Sequence, residues 1–258
     1  MCVLKKWLLT HGYCRETWGD IVRMSRRAAV CHPAGTPISS KNVGDIVKIT
    51  VNNKIQEFII VHKGRPSTLY DTSFNNAVTV LEKDTFMSAR WDDSADKNDY
   101  EKSTIHAYLN ADFFYYVVQS VRDQIKQIKI PYRRGDGNSL TVYSEAIGLP
   151  AKVFLLSMLE VGFNSSSTVP ADGTVLSYFQ GTSSTGADPK RIAKSANGSA
   201  VSWWLRTPHA STPGTAAFLV RHTGENIALA TYGGGSQGIR PAFVLPDTTN
   251  IADDGTVL

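Results

Sequence analysis

Two runs of alternating apolar residues, joined by a pair of asparagines, constrain this chain more than any other feature. Val43-Gly44-Asp45-Ile46-Val47-Lys48-Ile49-Thr50-Val51 is apolar largely at alternate positions, Asn52-Asn53 supplies a tight turn, and Ile55 to His62 forms the returning strand. Period-two alternation around a turn of this kind predicts a β-hairpin. Val78 to Leu81 predicts a third strand. Ser103 or Thr104 can cap a helix containing Ile105, Tyr108 and Leu109. A second helix is expected from Asp112, with Phe113, Tyr116, Val117 and Val121 facing inward, and Lys126 to Tyr132 leads into a turn at Arg133–Asn138.

The second half of the chain reads differently. Val153-Phe154-Leu155-Leu156 is a continuous apolar run suited to a buried strand, and Ser157-x-x-Glu160 has the form of a helix-start capping box. Ser/Thr/Gly-rich loops at 164–169 and 181–188 flank a short helix expected around Val175–Phe179. From Ala200 strands are expected at Val201–Arg206, Ala216–Arg221, Ile227–Thr231 and Ile239–Leu245. Strands, two helices and then a long strand- and loop-rich half give an α+β reading, with the helices packed on small antiparallel sheets. No internal repeat of solenoid period is present.

Charge and cysteines set apart the first 33 residues. Lys5, Lys6, Arg15, Arg23, Arg26 and Arg27 face only Glu16 and Asp20, which accounts for the whole net charge of +4 and leaves 21 basic against 21 acidic groups. A body without net charge exerts no long-range pull on phosphate backbones, so nucleic acid is not an expected partner. Cys2, Cys14 and Cys31 all lie in this leader, so no disulfide is expected after residue 33. Their spacing with His11 and His32 fits no compact zinc knuckle, and no metal is expected. No stretch reaches the length of a membrane span, and Trp7-Leu8-Leu9 is too short for a signal-peptide core. His32-Pro33-Ala34-Gly35-Thr36-Pro37 marks the boundary: residues 1–33 are a basic leader, an anchor or a functionless extension, 34–247 the domain, and 248–258 a tail.

Catalytic signatures are sparse. There is no Gly-x-Ser-x-Gly elbow, and His62, His106, His209 and His222 are scattered without a local signature. Asp92-Asp93, Asp96 and Asp99 lack the spacing and glycine of a calcium loop, and Lys97 sits among them, so they read as a solvated loop. Gly233-Gly234-Gly235-Ser236-Gln237-Gly238 precedes a strand and lacks the Lys-Ser/Thr of a P-loop; it reads as an irregular loop. Arg134-Gly135-Asp136 reads as a turn. The remaining constellation is structural. In Trp203-Trp204-Leu205-Arg206-Thr207-Pro208, alternation sends Trp203 and Leu205 to one face and Trp204 and Arg206 to the other. Arg206 and Arg240 are candidates for buried bidentate pairs that pin loops to the sheet.

Several landmarks together resemble the DUF6273 family over roughly residues 34–247. They are Val43-Gly44-Asp45, Glu57-Phe58 with His62 and Gly64, Leu69-Tyr70-Asp71, Ser103-Thr104-Ile105-His106, Tyr108-Leu109-Asn110 and Ile128-Lys129-Ile130-Pro131-Tyr132-Arg133. Phe154-Leu155-Leu156-Ser157, Glu160-Val161-Gly162, the Trp203–Pro208 run and Gly238-Ile239-Arg240-Pro241-Ala242 complete the set. The resemblance implies a C-type-lectin-like fold of the formylglycine-generating-enzyme type, in proteins of gut bacteria and their phages, some diversified by retroelements. The active-site cysteines of the oxidase and the calcium-ligand motifs of the lectins are missing here, which disfavours both activities.

What the resemblance implies is a non-catalytic domain, without cofactor, that displays a ligand-binding surface between residues 207 and 237. His209, Thr215, Phe218, Val220, Arg221, His222, Glu225, Ile227, Leu229 and Tyr232 are its candidate contacts, on a hairpin turning at Thr223-Gly224. Trp203, Trp204, Arg206 and Arg240 are its anchors. The expected role is a tail-associated phage or prophage receptor-binding protein, on the virion or in the host cytoplasm during assembly, that contacts a bacterial surface protein or glycan. A structural or assembly module touching other virion proteins, a cell-surface adhesin, and an enzyme of the formylglycine-generating fold remain the alternatives.

Overall fold

A computed structural model describes residues 35–93, 98–134, 139–211, 214–232 and 234–258. The basic leader, its cysteines and its boundary, together with Asp96, Lys97, Gly135, Asp136 and Gly233, lie outside the described residues.

The N-terminal hairpin forms as its alternation requires: β1 (Ile46–Val51) pairs antiparallel with β2 (Lys54–Lys63). Asn52 (φ 49°) and Asn53 (φ 59°) take the left-handed conformations of a two-residue turn matched to strand twist. β3 (Ala77–Glu82) adds to β2, with a register irregularity between Ile60 and His62. A buried two-residue strand, β5 (Val153–Phe154), and a C-terminal strand, β10 (Ala242–Pro246), complete a five-stranded sheet of order β5-β10-β3-β2-β1. A second sheet has the order β8-β7-β6-β9-β4. It comprises β4 (Met87–Ala89), β6 (Trp203–Pro208), β7 (Ala216–Val220), β8 (Asn226–Ala230) and β9 (Gln237–Ile239). One pair, β6 with β9, is parallel, so this sheet is mixed where an antiparallel one was expected. The single strand expected at Ile239–Leu245 is split between the sheets: Arg240 and Pro241 break it, and the chain passes from one layer to the other there.

Helices are few and short. Ser103 Oγ caps α1 (Thr104–Tyr108) by accepting from His106 N–H at 3.2 Å. The chain continues without a break through a π-helical stretch, Leu109–Phe113, into α2 (Phe114–Tyr116). The expected boundary near Asp112 is therefore absent, and the wider π turn carries Asn110. Its side-chain oxygen accepts from Lys152 and Val153 N–H, and its amide donates to Val153 O (2.9 Å) and His106 O (3.1 Å), tying helix to β5. The break falls instead at Val117 and Val118, where backbone pairing with Val51 and Thr50 holds the chain extended before α3 (Gln119–Arg122). Phe113, Val117 and Val121 face inward as expected; Tyr116 is 41 % exposed and does not.

The Ser157–Glu160 box closes reciprocally, Glu160 N–H to Ser157 Oγ at 3.2 Å and Ser157 N–H to Glu160 Oε2 at 2.8 Å, but it holds a turn rather than a helix. The short helix expected near Val175 is one 3-10 turn at Ser177–Phe179. Residues 248–258 are part of the fold and not a tail. Asn250–Ile251 pairs with Thr36–Pro37, Thr256 bridges to Lys48, and Ile251 and Val257 are buried.

Candidate binding surface

The anchors are buried, each in a different way. All six side chains of Trp203–Pro208 are inaccessible, because β6 lies inside its sheet with both faces covered. The Trp203 indole donates to Arg191 O (2.9 Å), Trp204 to Ala89 O (3.0 Å), and Trp91 to Leu205 O (2.9 Å). Between Trp204 and Pro208 the strand bulges away from β7, and Arg206 N–H pairs with Leu156 O instead.

That bulge delivers Arg206 to Glu160. The pair is bidentate, Nη1 to Oε2 and Nη2 to Oε1, both at 2.6 Å and both fully buried. Nε donates to Pro131 O, Nη1 also to Leu155 O, and Nη2 also to Asp172 O, so the five guanidinium N–H groups are all used. Glu160 accepts in addition from Tyr70 O–H at 2.6 Å and from Ser157 N–H. Three separate sequence landmarks, Leu69-Tyr70-Asp71, Glu160-Val161-Gly162 and Trp-Trp-Leu-Arg, thus meet in one network. Burial by itself would lower the Arg206 pKa; the Glu160 carboxylate outweighs it and raises it. Asp172, fully buried, accepts from Thr207 Oγ1 at 2.9 and 3.0 Å. Burial pushes its carboxyl up to about 7, against the pull of Arg206 and Thr207.

Arg240 is not a bidentate ion pair. Nε and Nη2 donate to the carbonyls of Glu82 and Lys83 (2.9 Å each), the guanidinium lies 4.6 Å from the Trp203 ring centroid, and Nη1 has no partner among the described residues. Burial lowers its pKa to about 10. Sequence reasoning missed a third arginine, Arg191, because Asp188-Pro189-Lys190-Arg191 reads only as a capped turn. It is buried, donates to the carbonyls of Val161, Gly186, Gly224 and Ser183 and to Thr182 Oγ1, and stacks on Phe163.

Arg191 matters for the hairpin because one of those carbonyls is at its tip. β7 and β8 pair in register from Ala216↔Ala230 to Val220↔Asn226, and the turn lies at Thr223-Gly224 as expected. Gly224 (φ 86°) passes so close to Asp188 that a Cβ would sit 2.3 Å from its carbonyl oxygen, so only glycine fits. The hairpin is docked at its tip rather than projecting freely.

The candidate contacts divide accordingly. Phe218 (5 % exposed) and Val220 (0 %) are not available to a partner. They lie on an interior strand, Phe218 beneath the His209 ring (5.3 Å between centroids) and Val220 opposite Trp203. His209 is half-buried, and burial, then Arg133, lowers its pKa. Ile227 and Leu229, on the edge strand, are half-exposed and pack partly on the core. The side chains that face solvent sit at the two ends. Arg221, His222 and Glu225 cluster at the tip, with Arg221 and Glu225 3.8 Å apart. At the other end Thr215 accepts from Thr231 N–H, and Tyr232, 42 % exposed, carries Arg90 at 4.4 Å from its ring centroid. Arg90 gave no sequence signal; its stacking on Tyr232 is purely tertiary.

The reading of the acidic cluster also changes. Asp92 is buried and accepts from Thr104 Oγ1 at 3.0 Å, so it braces the helix start and is not part of a solvated loop; Asp99 pairs with Lys102 at 3.2 Å. Arg134 is exposed and stacks on Tyr143. Among the described residues no three His, Cys, Asp or Glu side chains are arranged to hold a metal ion, and no helix is long and apolar enough to cross a membrane.

A domain of one antiparallel and one mixed five-stranded sheet, stapled by buried arginines, is the class that these features define. The family model for a domain of unknown function, DUF6273, matches residues 75–247, and the chain belongs to that family. The match begins after the first hairpin, so the landmarks from Val43 to Asp71 lie outside it. No curated protein and no solved structure gives a match.

Proposed function

We propose that this protein is a non-catalytic binding domain of C-type-lectin-like type that contacts a bacterial surface, as a phage or prophage receptor-binding protein does. The contact is made by the exposed ends of the β7–β8 hairpin: Arg221, His222 and Glu225 at the tip, and Thr215, Tyr232 and Arg90 at the base. The observation that carries this reading is the contrast in one sheet. Beneath the hairpin, Arg206 and Arg191 spend every guanidinium N–H on fixed partners, while the outermost strand and both hairpin ends keep side chains in water. A platform held that firmly can carry varied side chains with little change in stability. A paired Tyr and Arg is the kind of group from which interfaces draw most energy.

Attachment of the purified protein to gut-bacterial envelopes tests the reading. Tyr232→Ala combined with Arg90→Ala should weaken attachment by about tenfold or more, the loss of one hot spot, while leaving the melting temperature close to wild type. Attachment unchanged in that double variant and in Arg221→Ala/Glu225→Ala would overturn the assignment of this surface.

A further inference from the structure

A cleft of about 540 Å³ opens between the Asn52-Asn53 turn, the segment after β3, and the turn at residues 194–198. That size suits a small ligand. Of the polar side chains lining it, Glu82 alone is buried, at 3 % exposure, and its Oε2 has no hydrogen-bond partner among the described residues. Buried polar atoms are nearly always paired, so this one requires an explanation. Burial raises the Glu82 pKa well above the usual carboxylate range, opposed by Arg240 and assisted by Asp84. Burial thus favours the protonated form, which has one O–H to donate and one C=O to accept.

The mouth carries both signs, Lys54, Lys83 and Lys194 against Glu57 and Asp84. Lys83 Nζ pairs with Glu57 Oε2 at 2.7 Å, and Asp84 Oδ1 accepts from the backbone N–H of Lys194 at 2.8 Å. An anionic ligand would meet Glu57 and Asp84; a cationic one would meet Lys54 and Lys194, with Arg240 behind the floor. An uncharged ligand avoids both penalties. A secondary amide presents a carbonyl beside an N–H, the complement of a neutral carboxyl. Val51, Ile55 and Phe86 supply an apolar wall, and the Phe86 ring is braced edge-on by Phe113 at 5.0 Å. Asn52, Gln56 and Ser195 place polar groups around the opening.

We propose that this cleft binds an acetamido sugar, with the amide on the Glu82 carboxyl and the acetyl methyl against Phe86. The site is separate from the hairpin ends, and the two assignments fail independently; it draws on the binding reading only in taking the ligand from a surface glycan.

The test is titration of the full chain with N-acetylglucosamine, followed by amide chemical shifts, with glucose, glucosamine and N-acetylglycinamide as comparisons. Expected is saturable binding with a dissociation constant on the order of 1 mM, shifts at Lys83, Thr85 and Ser195, and the three comparison ligands at least about fivefold weaker for want of part of the match. Glu82→Leu should abolish binding without lowering the melting temperature, because it removes an unpaired buried polar atom. Glu82→Gln, which keeps a donor and an acceptor, should bind within about threefold of wild type, less than the loss of a hydrogen bond. Should Glu82→Leu fail to fold, Phe86→Ala decides by weakened binding. No shifts at high N-acetylglucosamine, equal or tighter binding of any comparison ligand, or undiminished binding by Glu82→Leu or Phe86→Ala would each overturn the proposal. Attachment to cells persisting alongside such a failure would leave the hairpin reading standing.

Discussion

Arg206 and Arg240 occupy similar places: each is a fully buried arginine at the end of a bulky apolar run, and sequence alone offers no reason to tell them apart. Their surroundings differ completely. Arg206 meets a carboxylate, three carbonyls and, through Glu160, a tyrosine hydroxyl. Arg240 meets two carbonyls and a tryptophan face, while Glu82, whose backbone carbonyl it holds, keeps an unpaired side-chain oxygen. The lesson is that burial of a charged side chain does not by itself assign a role. A saturated network is a staple, whereas an unsaturated one, lining a cleft, leaves hydrogen-bonding capacity unused.

Breaking the saturated side should have the largest effect. Arg206→Ala strands Glu160 in the core without its counter-charge, and a loss on the order of 3–5 kcal/mol is expected, enough to leave much of the chain unfolded. Urea denaturation followed by tryptophan fluorescence measures it. A loss under about 1 kcal/mol, the size of an exposed ion pair, would remove the distinction drawn here. Arg240→Met should cost less, about 1–3 kcal/mol, because it leaves two neutral carbonyls unpaired and breaks no hydrogen-bonded ion pair. The ranking of the two variants is the sharper measurement, since both substitutions remove a fully buried arginine.

A third prediction concerns protons. Asp172 titrates near 3.8 when unfolded and at about 7 when folded, so the folded protein keeps a proton that the unfolded chain has released. Its contribution is complete below the lower value and lost as pH rises through the upper one. Asp172→Asn should therefore stabilise the protein relative to wild type at pH 8 more than at pH 4; parallel stability curves for the two proteins would show that Asp172 is not held neutral. His106 works in the opposite sense. Burial lowers it to about 4, so the stability it contributes is present above its unfolded value of 6.5 and fades as pH falls through 4. His106→Gln should flatten that acid limb in a series of melts. The smallest effect is expected at the surface: Arg90→Ala, which loses an exposed cation–π contact, should change stability by about 0.5–1 kcal/mol at most.

Much of this was legible along the chain. The alternation of Val43–His62 and the paired asparagines determine the first hairpin by local stereochemistry. Ser103 announces the helix cap, and Thr223-Gly224 the second turn. The proposed contact surface was legible only in part. Phe218 and Val220 look as available as Tyr232 in sequence, and only their place on an interior strand buries them.

What the sequence by itself determined is the set of elements whose cause lies within a few residues: alternation, caps, turns and the presence of strongly apolar strands. What only the tertiary structure decided is everything that depends on partners far along the chain. Arg206 reaches Glu160 across 46 positions, and Trp204 reaches Ala89 across 115. Arg90 stacks on Tyr232, and Glu82 lines a cleft closed by residues 194–198. Period and propensity describe a residue's own strand or helix, but hydrogen-bond saturation is a property of the space around a side chain, and that space is assembled only when the sheets pack.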